Sequence, residues 1–142
     1  MTINYNYERA KVFASKIIKS NSIIYSPAVG SIKINSKGFR HLIYKNEGHK
    51  RNKQNQIARF YLLKYLKPVL SKSWFYQEYL EEKNTVYWSF IAIIENKIRI
   101  KIILKKVGKG NIHFWSIIPI WRSKYYKNIK INIIHKGNPS QD

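Results

Sequence analysis

Apolar and polar positions change period several times along this chain, and each change predicts an element. Val12, Phe13, Ile17 and Ile18 recur at helical spacing with Glu8 near the start, predicting a short amphipathic helix over Tyr7–Ile18. Ser26-Pro27 and Gly30 mark a turn. Ser31–Asn35 then alternates and Ser36-Lys37-Gly38 breaks the alternation, so a strand, a turn and an extended segment Phe39–Tyr44 are expected to form a hairpin. From Arg51 to Leu66 the period becomes helical. Ile57, Phe60, Tyr61, Leu63 and Lys64 fall on one side, and Arg51, Asn55 and Arg59 follow one another four apart on the other. This is the main predicted helix, limited by Pro68, although a bent last turn to Leu70 is compatible with the pattern. Trp74–Glu82 is aromatic and acidic without a clear period.

Three long strands are expected next, roughly Thr85–Glu95, Ile98–Val107 and Asn111–Ile120, with turns at Asn96-Lys97 and Gly108-Lys109. The first is apolar on both faces, as a central strand should be. The second sets Ile98, Ile100, Ile102 and Leu104 against Arg99, Lys101 and Lys105, giving it one basic face. Ile129–Ile134 adds a possible edge strand, and the polar tail over about 136–142 is expected to be mobile. Helices followed by an antiparallel meander give an α+β fold. N-terminal helices pack on one face of a twisted antiparallel sheet, and the other face is left for a ligand. The whole of residues 1–142 reads as a single domain without internal repeats.

Composition narrows the function. The chain carries 27 Lys and Arg against 7 Asp and Glu, a formal charge of +20. Basic residues run from Arg9 to Lys136 on a sequence that is 44% hydrophobic, so the charge belongs to a folded body that concentrates polyanions. A base-composition bias toward A and T would enrich Lys, Asn and Ile, but it does not account for the scarcity of acids. There is no cysteine, which removes disulfides, thiolate zinc sites and cysteine nucleophiles and suits a reducing cytoplasm, the expected compartment. The N-terminus does not read as a signal peptide, and no apolar run is long enough to span a bilayer, so no membrane association is expected.

The acids are Glu8, Glu47, Glu78, Glu81, Glu82, Glu95 and Asp142, and only Glu78, Glu81 and Glu82 lie close together, as an exposed charge run would. His41, His49, His113 and His135 form no HxH or HxxxH pair, so no metal site and no cofactor is expected. Metal-free RNA cleavage asks for less: a proton acceptor for the 2′-hydroxyl, cations around the phosphate and an acid for the leaving oxygen. If Gly108-Lys109 closes a tight hairpin, Lys101 stands directly across from Ser116, as a phosphate clamp or as an ordinary polar pair. Gly38 opens the segment around His41, which projects while Phe39 and Leu42 anchor it. His41 is the best acid–base candidate by residue type, and His113 is second. Arg51, Asn55 and Arg59 make a stripe suited to phosphate, and Tyr87, Trp88, Trp115 and Trp121 offer stacking surfaces or core.

Taken in order, KGFRHL (37–42), HKR (49–51) leading into QIARFYLL (56–63), VYWSFIAII (86–94), IRIKIIL (98–104) and HFWSIIP (113–119) resemble phage and bacterial members of the barnase, EndoU, colicin and RelE nuclease superfamily. The likeness covers roughly residues 23–122 and is one of pattern. It implies a barnase/RelE-like, metal-independent endoribonuclease that uses the 2′-hydroxyl as nucleophile and leaves a cyclic phosphate. Such proteins are often toxins held by an acidic antitoxin or immunity protein. Carried over, the resemblance implies His41, Lys101, Ser116 and Arg59 as catalytic residues. Arg51, Arg40, Lys50, Asn55, His113 and Trp121 would contact RNA, either tRNA or mRNA. Barnase-like enzymes pair a Glu base with a His acid, and here no Glu falls on the expected face unless Glu78 or Glu95 is brought there. Two other readings remain: a non-catalytic RNA- or DNA-binding module, and a basic subunit that docks an acidic protein.

Overall fold

The structure, a computed structural model, describes residues 2–46, 48–94 and 98–120. It is α+β. Helix α1 (Thr2–Ser20) leads into a short hairpin, β1 (Ile23–Ser26) and β2 (Gly30–Lys33). Helix α2 (Ser36–Ile43) follows, then a second small hairpin, β3 (Tyr44–Asn46) and β4 (His49–Lys50). Helix α3 (Lys53–Leu62) continues through a 3-10 turn (Leu63–Tyr65) into α4 (Leu66–Lys72). Strands β5 (Glu78–Glu82), β6 (Thr85–Ile94), β7 (Ile98–Val107) and β8 (His113–Pro119) complete it. The main sheet has the order β1-β2-β8-β7-β6-β5, antiparallel except where β2 runs parallel to β8.

The core lies between the helices and one face of this sheet. Phe60, Leu63, Leu66 and Leu70 from the helices meet Phe90, Ile100, Ile102, Leu104, Phe114 and Ile117 from the strands. Phe39 stacks on Phe60 with centroids 5.7 Å apart, which ties α2 to α3. These side chains alternate along β6 and β7, so apolar burial itself sets the strand register.

Several expectations need correction. Ser36-Lys37-Gly38 does not break a strand. It opens α2, because the Asn35 side chain caps the helix by accepting from the Lys37 backbone N–H. Phe39–Tyr44 is therefore mostly helical rather than extended. Arg51 precedes α3 instead of lying on it, since Asn52 is the N-cap and accepts from the Asn55 N–H at 2.7 Å. Pro68 does not end the helical region: the chain bends at Leu63–Tyr65, and Pro68 falls in the first turn of α4, where the ring costs no hydrogen bond. Trp74–Glu82, which has no clear period, contains the edge strand β5. The expected edge strand at 129–134, the tail and Trp121 lie outside the described residues.

Two further corrections position the site. The β7–β8 pairing places Lys101 opposite Ile118 and Ser116 opposite Ile103, and the register shifts before Leu104, which faces Phe114. Trp115 is the extra residue of that bulge, so Lys101 and Ser116 share a face without being directly opposed. Nor is that face an open basic surface at its centre, because Lys101, Ile103 and Ser116 are fully buried.

Candidate nucleic-acid interface

Strand β8 meets β2 at a single pair, Lys33 with His113. Helices α2 and α3 both pack against β8. The approach of α2 is close enough that a Cβ on Gly38 would collide with the Phe114 carbonyl oxygen and ring. The bulge then turns Trp115 toward α2, and its indole stacks on the His41 imidazole with centroids 4.1 Å apart and planes 19° off parallel. Lys105 Nζ stands 3.8 Å from the same indole.

His41 is 5% exposed and so does not project into solvent. Arg51 Nε donates to its carbonyl at 3.0 Å, and Arg51 Nη2 lies 3.0 Å from its Nε2. A guanidinium only donates, so this contact requires an unprotonated Nε2 and a neutral imidazole. The electrostatics agree: burial, then the positive charges of Arg51, Arg59 and Lys105, push the His41 pKa down to about 3. The expectation that His41 titrates near neutrality is overturned by its burial among cations.

Arg59 is likewise bonded to Asn55 and Ser116. Its Nε donates to Asn55 Oδ1 at 2.7 Å and its Nη1 to the buried Ser116 Oγ at 2.8 Å. One turn earlier, Gln56 Nε2 donates to the Arg51 carbonyl at 2.6 Å and Gln56 Oε1 accepts from Tyr7 at 2.6 Å, which fixes the loop before α3 to α1. The two guanidiniums open into a pocket of about 520 Å³ lined by Lys45, His49, Lys50, Arg51, Asn52, Asn55 and Arg59, and among the described residues no carboxylate lines it. Arg40 covers the Tyr44 ring at 4.5 Å, with Lys50 at 5.8 Å from the same ring, at the β3 end of this cationic surface.

No family model, curated protein or solved structure matches this chain. The chemistry therefore has to be read from the residues themselves. Of the residues singled out in the sequence, Lys50, Arg51, Asn55 and Arg59 line the pocket. His41 and Ser116 stand behind it as partners of Arg51 and Arg59. Lys101 does not line it: its ammonium lies 2.5 Å from Glu78 Oε1, a buried ion pair across β5 and β7. Glu78 is thus brought to this face of the sheet, but as the partner of Lys101. His113 is buried beside Trp115, and burial lowers its pKa, opposed by a hydrogen bond from its imidazole to the Asn111 backbone carbonyl and reinforced by Lys37 and Lys105. Tyr87 is buried and Trp88 packs on the core, so neither offers an open ring to a base. The sequence reading missed Lys45 and Asn52 and gave His49 no role. Asn52 was findable as the N-cap three residues before Asn55, whereas Lys45 carries no local signal.

Proposed function

We propose that this chain is a metal-independent endoribonuclease, a toxin-type enzyme acting on cytoplasmic tRNA or mRNA, with its phosphate-binding centre in the pocket between β4 and α3. The observation that carries this reading is the pair Arg51 and Arg59, which bond to His41, Asn55 and Ser116 and line one concavity with Lys45 and Lys50, with no carboxylate lining it among the described residues. Four cations that line one concavity concentrate positive potential where a phosphate would enter, and two guanidinium forks match the equatorial oxygens of a phosphorane-like transition state. Such positioning by itself accelerates attack of an adjacent 2′-hydroxyl, which is the reason to favour RNA over DNA.

In this scheme Arg51 and Arg59 contact the phosphate and Lys45 and Lys50 hold flanking phosphates. His41 and Ser116 are positioning residues that aim the two arginines. His41 does not serve as a general acid at neutral pH, because its imidazole is in the neutral, weakly acidic form there. An acidic antitoxin or immunity protein would complement the same pocket. A non-catalytic RNA-binding module is the second reading, favoured by the depressed basicity of His41.

The test is incubation of total RNA in EDTA with the wild-type protein and with folded Arg51→Ala and Arg59→Ala variants. Discrete cuts ending in cyclic phosphate, abolished in both variants, are expected. Intact RNA that is bound in a salt-sensitive way would replace the nuclease by the binding module.

A further inference from the structure

Resting on the nuclease reading above, we propose that His49 is the catalytic residue that takes the proton from the attacking 2′-hydroxyl. It begins β4, immediately after the turn at Gly48, whose φ of +79° suits a residue without a side chain. It is exposed, and it lines the pocket that also contains Arg51 and Arg59.

The other described imidazoles are placed differently. His41 is buried, with Nε2 engaged by Arg51 and its ring face covered by Trp115. His113 is buried against Trp115 and Lys105. Glu78, on this side of the sheet, is bound to Lys101 and lines no part of the pocket. A general base has to reach the proton it removes. Among the described histidines and carboxylates, His49 alone lines the pocket that contains Arg51 and Arg59. Among the described residues, the charged groups that share the pocket with it are Lys45 of β3, Lys50 of β4, Arg51 of the following loop and Arg59 of α3.

The step balances without a further reagent. His49 accepts the 2′-hydroxyl proton as the 2′-oxygen bonds to phosphorus and the bond from phosphorus to the 5′-oxygen breaks. The 5′-oxygen leaves with a proton from water, and the proton on His49 returns to solvent. The products are a 2′,3′-cyclic phosphate and a 5′-hydroxyl.

Single-turnover cleavage of a short RNA in EDTA, measured against pH for wild type, His49→Gln and His49→Ala, tests the assignment. His49→Gln is expected to slow cleavage by about 10²–10⁴-fold and to lose the acidic limb of the rate profile, with RNA affinity nearly unchanged. Added imidazole should restore His49→Ala, which a purely structural role would not allow. Wild-type cleavage that persists in His49→Gln with the same pH profile would overturn the assignment and leave the nuclease standing. So would a His49→Ala loss that imidazole does not restore and that tracks weaker RNA binding. Absence of cleavage by the wild type would remove the nuclease reading and this assignment together.

Discussion

At the scale of single residues, two buried cation partners show how the site depends on the fold. His41 holds its neutral form because protonation would add a buried charge beside Arg51, Arg59 and Lys105. Its pKa falls from the ordinary 6.5 to about 3 on folding, so the unfolded chain binds the extra proton first as pH drops. Stability is therefore complete above the unfolded value and declines between about pH 6.5 and pH 3, at up to about 1.4 kcal/mol per pH unit from this group. His113 is lowered in the same direction and adds to the trend. Urea unfolding at pH 7 and pH 5 should show the loss, and His41→Gln should flatten it. An unchanged pH dependence in that variant would place the titration elsewhere. The Lys101–Glu78 pair makes a different prediction. Lys101→Met strands a mostly buried carboxylate and should cost about 3 kcal/mol, whereas Lys101→Met with Glu78→Leu should recover most of that, because an apolar pair can replace a buried ion pair. RNA binding by the double variant should stay close to wild type. If it is lost while the protein is stable, Lys101 belongs to the binding surface after all.

At the scale of elements, the contact between α2 and β8 decides where the site is. Gly38→Ala would drive a methyl into the Phe114 carbonyl and ring, neither of which can move without shifting β8. A destabilisation of about 1–3 kcal/mol is expected by thermal unfolding, together with weaker RNA binding as the Trp115–His41 stack shifts. Serine at the same position should be at least as damaging. The same contact explains what the sequence could and could not convey. The long strands β6 and β7 were legible because β6 is a ten-residue apolar run bounded by turn residues and β7 sets Ile100, Ile102 and Leu104 at every second position. The eight-residue α2 was not, since a Gly in KGFRHL signals a turn locally and its real reason is a strand that lies far away in the chain. The bulge at Trp115 was equally hidden: a one-residue insertion obeys no period, yet it turns Trp115 toward His41 and moves Ser116 out of register with Lys101. Arg51, Asn55 and Arg59 were found as a stripe four apart, and three of their partners, His41, Ser116 and Gln56, depend on tertiary packing in whole or part.

For the whole molecule, the question is whether +20 acts as a diffuse cloud or through one organised site. Acids are not evenly mixed among the cations. Glu81 and Glu82 are exposed on β5, the outer strand of the sheet, three places from β8, and among the described residues no acid lines the pocket beside α3. This separation favours one anion-binding region over general adhesion. Salt titration distinguishes the two. A single-stranded RNA that contacts about four phosphates through Lys45, Lys50, Arg51 and Arg59 should give a slope of log affinity against log salt of roughly −3, since each neutralised phosphate contributes about −0.7. Lys45→Ala with Lys50→Ala should then reduce the slope by about 1.4 and weaken binding similarly for all sequences. A control pair of exposed lysines outside the pocket, Lys16 and Lys19 on α1, should leave the slope nearly unchanged. If the control pair lowers it as much as the pocket pair, the positive charge works as a whole-surface attractant, and Arg51 and Arg59 lose their standing as the centre of an RNA site.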